Sequence, residues 1–154
     1  MSLKAGDKAP AFSGSTQEGQ PVALADYAGK MNVFLVFYPK AFSPVCTDQL
    51  SLYSGHLEDF KERGTEVIAV SVDNAFSQKA FCDALGGVQF PVLSDMTLEI
   101  ARSYGVALPG GFANRAEFLI DKQGNIRWLN IEKSAGDNTP TMDDIFGAID
   151  KLKK

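Results

Sequence analysis

The feature that most constrains this 154-residue chain is an apolar run that stops at a proline and gives way to a helical pattern. Residues 32–38 (Asn-Val-Phe-Leu-Val-Phe-Tyr) are continuous, β-branched and aromatic, and Pro39 ends them. A run of that kind reads as a strand buried on both faces, and it is far too short to span a bilayer. Over residues 44–63 the spacing changes. Leu50, Tyr53, Leu57 and Phe60 recur every three or four positions and form one apolar stripe of a helix, with Gly64 where a C-terminal cap belongs. A doubly buried strand followed by a helix opens a βαβ unit, which implies parallel pairing in a sheet covered on both sides.

The same alternation continues. Residues 65–72 read as a second buried strand, 77–85 as a short helix ended by Gly86-Gly87, 90–93 as a short strand, and 97–104 as a helix closed by Gly105. Residues 116–120 and 126–131 flank Asp121-Lys-Gln-Gly-Asn125 and read as a β-hairpin. Met142, Ile145, Phe146, Ile149 and Leu152 give a last amphipathic helix, while Gly6, Pro10, Gly14, Gly19 and Pro21 mark the opening segment as loops. The expected fold is α/β, with the element order of a thioredoxin-like domain: a central mixed sheet and helices on both faces, in a single domain over residues 1–154. A chain of this length can bury roughly 70% of its unfolded surface, and a 45% hydrophobic composition supplies the core.

A formal net charge of −4, with no basic cluster beyond the 151–154 tail, makes nucleic acid and anionic membrane poor partners. The first ten residues carry Lys4, Asp7 and Lys8 and no apolar h-region, so a cytoplasmic location is expected. Two cysteines do not make a disulfide scaffold, and with His56 as the one histidine they do not complete a zinc site. No metal is expected.

The stretch that carries chemistry is Tyr38-Pro-Lys-Ala-Phe-Ser-Pro-Val-Cys-Thr-Asp-Gln-Leu50. Pro44 suits the first helical turn and Ser43 the N-cap before it. Cys46 then falls beside unpaired N–H groups at the positive end of the helix dipole. Thiols so placed ionise more readily, and the same N–H groups can bind a developing negative oxygen. Cys46 also lies on the stripe of Leu50, Tyr53 and Leu57, where a small apolar residue packs normally. Position alone leaves both readings open.

Pro39, Ser43 and Cys46 match Pro-x-x-x-Thr/Ser-x-x-Cys, and Asn114-Arg-Ala-Glu-Phe-Leu-Ile-Asp121 contains Arg-x-x-Phe-x-Ile-Asp. These motifs resemble those of the peroxiredoxins. The resemblance runs nearly end to end and takes in Gly-Asp-Lys-Ala-Pro-Ala-Phe (6–12) and Phe-Pro-Val-Leu-Ser-Asp (90–95). Within the family the chain looks most like the small monomeric or dimeric PrxQ (bacterioferritin comigratory protein) type and the one-cysteine AhpE-like type.

The resemblance implies a thiol-dependent peroxidase acting on hydrogen peroxide and organic hydroperoxides, without metal, flavin or haem. Cys46 would attack the peroxide and become a sulfenic acid. Ser43 would hold the peroxide through its hydroxyl where most members carry Thr. Arg115 would lie against the sulfur and the leaving oxygen; the bland alternative is an ordinary solvated arginine at a strand end, and the sequence around it favours the functional reading. Pro39 would shape the pocket. Gln49 stands where Glu is commoner in these subfamilies, which puts its role in orienting Arg115 in question.

Cys82 would be the resolving residue that forms an intramolecular disulfide, or else a silent structural cysteine. With Phe81, Ala84 and Leu85 taken as the inward face of its helix, it reads as a boundary residue within reach of solvent. Ser51 occupies the alternative resolving position five residues after Cys46. A thioredoxin- or glutaredoxin-type dithiol would return the electrons. His56, ten residues along the helix, is about 15 Å from Cys46 and cannot form a Cys–His dyad. Three alternatives remain: a one-cysteine peroxidase, a dithiol oxidoreductase (disfavoured because Cys-x-x-Cys is absent), and a non-catalytic thioredoxin-fold binding module. The 107–113 loop, rich in glycine, is expected to line the pocket.

Overall fold

The computed structural model describes residues 3–132 and 140–153. The opening third holds more than loops. A small antiparallel hairpin pairs β1 (Ser13–Ser15) with β2 (Pro21–Ala23), followed by a 3-10 turn over Leu24–Tyr27. Three-residue strands are too short to show a period-two pattern in sequence. Then come β3 (Asn32–Phe37), α1 (Pro44–Gly55), α2 (Leu57–Glu62), β4 (Thr65–Ser71), α3 (Ala75–Ala84), β5 (Val92–Ser94) and α4 (Glu99–Ser103). The chain continues through β6 (Ala107–Leu108), β7 (Phe112–Ala113), β8 (Ala116–Ile120), β9 (Ile126–Ile131) and α5 (Met142–Asp150).

The main sheet runs β5-β4-β3-β8-β9. Strands β3, β4 and β5 are parallel neighbours, and β8 lies antiparallel to both β3 and β9, so the sheet is mixed as expected. All six residues of β3 are buried because the sheet is covered on both sides. Phe34 and Val36 face one apolar cluster with Leu50, Tyr53, Phe60, Phe81, Ile145 and Ile149. Val33, Leu35 and Phe37 face the other with Phe12, Ile100, Tyr104 and Phe118. Helices thus lie on both faces, unequally: α1, α2, α3 and α5 on the first and α4 on the second.

Two expectations change. The helix read over residues 44–63 is two helices that break at His56 (φ −110°, ψ 16°). Gly55 costs helix stability just before the break, the His56 amide tightens onto the Tyr53 carbonyl at 3.1 Å, and Asp59 anchors the imidazole at 3.0 Å. The apolar stripe survives the break, with Leu57 and Phe60 buried. The 107–113 loop is a tight hairpin, β6 against β7, whose Phe112 ring lies 5.4 Å from Lys40 Nζ.

Phe118 is fully buried at the centre of the second cluster, with Phe37 and Tyr104 rings against it. Phe118→Ala is expected to lower unfolding free energy by about 3–5 kcal/mol. Urea denaturation checks this, and a loss under about 1 kcal/mol would show that the cavity collapses.

Candidate active site

Two periodicities bring the site together. On α1, Cys46, Gln49, Leu50 and Tyr53 stand at i, i+3, i+4 and i+7, and all four are buried on one helix face. On the facing strand, side chains alternate. Ala116, Phe118 and Ile120 enter the second cluster, so Arg115, Glu117 and Leu119 point to the α1 side. On β9, Asn130 pairs with Glu117, and the Glu132 amide donates to the Arg115 carbonyl at 3.0 Å, which continues the ladder one step.

The side chains meet in one buried cluster. Arg115 Nη1 donates to Cys46 Sγ at 3.1 Å and to Gln49 Oε1 at 2.8 Å. Its Nε forms an ion pair with Glu132 Oε2 at 2.8 Å. Gln49 Nε2 donates to Glu117 Oε2 at 3.0 Å and to the Tyr53 hydroxyl at 3.2 Å. Asn130 Nδ2 donates to Glu117 Oε1 at 3.1 Å. Arg115 is no solvated arginine: it is 7% exposed, and Cys46 is 0% exposed. Gln49 touches Arg115 through its carbonyl oxygen, the end that can accept, since a guanidinium can only donate. Burial pushes the Glu117 carboxyl up to about 7, against the pull of Asn130, Arg115 and Gln49, and it also raises the Tyr53 phenol.

Ser43 occupies the N-cap backbone position but does not cap with its side chain. Its hydroxyl turns back to donate to the Lys40 carbonyl at 3.1 Å, which leaves its acceptor lone pairs unengaged by the helix. Pro39 is half-buried at the start of the same loop. Behind the loop, Asp73 accepts from the Ala41 amide at 2.7 Å and from the Ser71 hydroxyl at 2.7 Å. Phe42, between them, takes a left-handed backbone (φ 67°), a conformation that costs a non-glycine residue roughly 1–2 kcal/mol. Its ring packs on Phe81 at 5.2 Å.

Cys82 corrects a further expectation. It is 3% exposed, not a boundary residue in reach of solvent. The inward face of α3 is Gln78, Phe81 and Cys82, while Ala84 is exposed. Gln78 goes inside because its polar groups are satisfied there. It accepts from the Tyr38 hydroxyl and donates to Ser71 Oγ at 2.9 Å and the Leu93 carbonyl at 3.0 Å. Burial, with Asp83 and Glu18 nearby, pushes the Cys82 thiol up to about 11. Both thiols are free and belong to the same apolar cluster. His56 is apart from the site, paired with Asp59 and edge-on to Phe146.

The model of the AhpC/TSA family matches residues 5–129. The chain belongs to that family, the peroxiredoxins. It is 40% identical over 136 residues to a chloroplastic 2-cysteine peroxiredoxin of Chattonella marina var. antiqua, covering 82% of this chain and 70% of that protein. It spans about half the length of some other curated relatives, such as the BAS1 2-Cys peroxiredoxin of Spinacia oleracea, 39% identical. Among solved structures, the reduced 2-Cys peroxiredoxin of Plasmodium vivax superposes with a TM-score of 0.87 at 29% identity, covering 98% of this chain and 97% of the other. Peroxidoxin BcpB of Mycobacterium tuberculosis gives 0.83 at 25% identity, with coverage of 98% and 97%. The fold is the thioredoxin-like peroxiredoxin fold, and this peroxiredoxin is a thiol-dependent peroxidase.

Sequence reasoning passed over Glu117, Glu132, Asn130 and Tyr53. Glu117 had a visible signal: a carboxylate between Ala116 and Phe118 in a buried strand, two positions from Arg115 and so on its face. Glu132 and Asn130 had none, because their part depends on cross-strand register.

A carboxyl held near 7 in the folded chain, against 4.5 ordinarily, favours the protonated form on folding. Its contribution to stability is therefore lost as pH rises from about 4.5 to about 7, by at most about 3 kcal/mol. Glu117→Gln cannot titrate. Urea midpoints are expected to fall for the wild type relative to the variant across that window, and parallel curves would contradict the assignment.

Proposed function

We propose that this peroxiredoxin reduces hydrogen peroxide and organic hydroperoxides at Cys46, and that Cys82 resolves the product as an intramolecular disulfide. The observation that carries this reading is the Arg115 guanidinium 3.1 Å from a sulfur shut off from water. A cation so placed stabilises negative charge on the sulfur and on an oxygen leaving it. The Cys46 thiolate attacks the terminal peroxide oxygen, an S–O bond forms as the O–O bond breaks, and the alkoxide or hydroxide leaves and takes a proton. Ser43 is the hydroxyl available to hold the peroxide. With Cys46 wholly buried, entry requires the 39–43 loop to give way.

In the second half, the Cys82 sulfur attacks the Cys46 sulfenic acid, the S–S bond forms and water leaves. A thioredoxin- or glutaredoxin-type dithiol then reduces the disulfide by exchange. The location of Cys82 in α3, in the same cluster as Cys46, supports a PrxQ-like arrangement. Relaxation of the left-handed Phe42 backbone favours the local unwinding that such a bond calls for.

Intact mass after one equivalent of hydrogen peroxide tests the reading. The wild type is expected to lose two hydrogens, Cys82→Ser to gain one oxygen, and Cys46→Ser to stay unchanged. A wild type that gains one oxygen and matches Cys82→Ser would replace the resolving role with a one-cysteine cycle.

A further inference from the structure

We propose that Glu117 is a positioning residue for the peroxide reaction, holding the Gln49 amide in the one orientation that keeps Arg115 on the Cys46 sulfur. This rests on Cys46 being the nucleophile. The reasoning begins with the two ends of the amide. The end facing Arg115 must be the carbonyl oxygen, because a guanidinium carries donors alone. The opposite end is then an NH2 group aimed at Glu117 Oε2, 3.0 Å away. Without an acceptor there, the amide could turn over and set its NH2 against the guanidinium, donor against donor.

The ionisation state of Glu117 matters because both of its oxygens already accept amide donors, Gln49 on Oε2 and Asn130 on Oε1. A protonated carboxyl would add a hydroxyl hydrogen with a donor on either side, so one of the two amides would have to rotate. The carboxylate therefore locks the arrangement and the neutral acid loosens it. The titratable and charged groups that act on Glu117 are Arg115 and Glu132 beside it on the sheet and Tyr53 from α1, with Cys46 one step away beyond Arg115. Glu132 holds the far side of Arg115, at Nε, and leaves Nη1 to the Gln49–Cys46 side. With Glu117 half-ionised near neutrality, the locked fraction rises as pH rises through that range.

The test is the second-order rate constant for reduced protein and hydrogen peroxide, from about pH 5 to about pH 9, by stopped flow. Wild type, Glu117→Leu and Glu117→Gln are compared. Glu117→Leu removes the acceptor and is expected to slow the reaction about ten-fold. Glu117→Gln keeps an acceptor oxygen but cannot titrate. Its NH2 meets one of the two amide donors as the hydroxyl of the neutral acid does, so it should stay near the low-pH rate of the wild type and lack the wild-type rise near neutrality. A purely structural Glu117 would leave the shape of the pH profile alone. Superimposable wild-type and Glu117→Gln profiles, or Glu117→Leu at the wild-type rate, overturn the proposal while leaving Cys46 as nucleophile. A wild type no faster than free cysteine removes the nucleophile and the proposal with it.

Discussion

The contact between the Arg115 guanidinium and the Cys46 sulfur is made away from water, and that constraint dictates what surrounds it. An ion taken out of water loses several kcal/mol of hydration unless other groups replace it. Here Glu132 pairs with Nε, and Gln49 and Cys46 share Nη1. Glu117 enters only through Gln49, a neutral group. A buried cation with one carboxylate in contact and a second at one remove keeps enough positive character toward the sulfur to stabilise negative charge developing there. A second carboxylate bound directly to Arg115 would compete for it.

The topology brings these residues together from distant parts of the chain. Strand β8 is antiparallel to β3, and Ala116, its first residue, pairs with Phe37, the last residue of β3. Arg115 therefore arrives where β3 ends and where the loop to α1 begins. Parallel β3 and β4 require the crossover that α1 and α2 supply, and that crossover places the N-terminus of α1 at the carboxyl end of the sheet. Asp73, just after β4, ties the loop from behind through the Ala41 amide. Three central strands of the sheet thus converge on one loop, and Phe42 is held there in a backbone conformation it would not take alone.

Much of this was legible in sequence. The β3 run, the α1 stripe, the β8–β9 hairpin and the mixed sheet follow from hydrophobic period and turn chemistry, and Cys46 and Arg115 were reached through the motifs around them. Three features were hidden, each for a physical reason. The helix break at His56 leaves the apolar stripe intact, so periodicity cannot report it. The inward turn of Cys82 depends on Gln78, a polar residue that reads as surface until Tyr38, Ser71 and the Leu93 carbonyl are seen to satisfy it. Gln49 meets Arg115 and Glu117 on one strand, and Glu132 and Asn130, which hold those two, come from the neighbouring strand, whose register no local pattern encodes.

The account stands or falls on whether the buried guanidinium activates the sulfur toward peroxide. The direct measurement is the stopped-flow rate constant of the reduced wild type with hydrogen peroxide, beside Arg115→Ala and free cysteine at the same pH. The account predicts a wild type far faster than free cysteine and a loss of about a hundred-fold or more in Arg115→Ala. A variant that keeps the wild-type rate would contradict it, and the contact between Arg115 and Cys46 would then be packing alone.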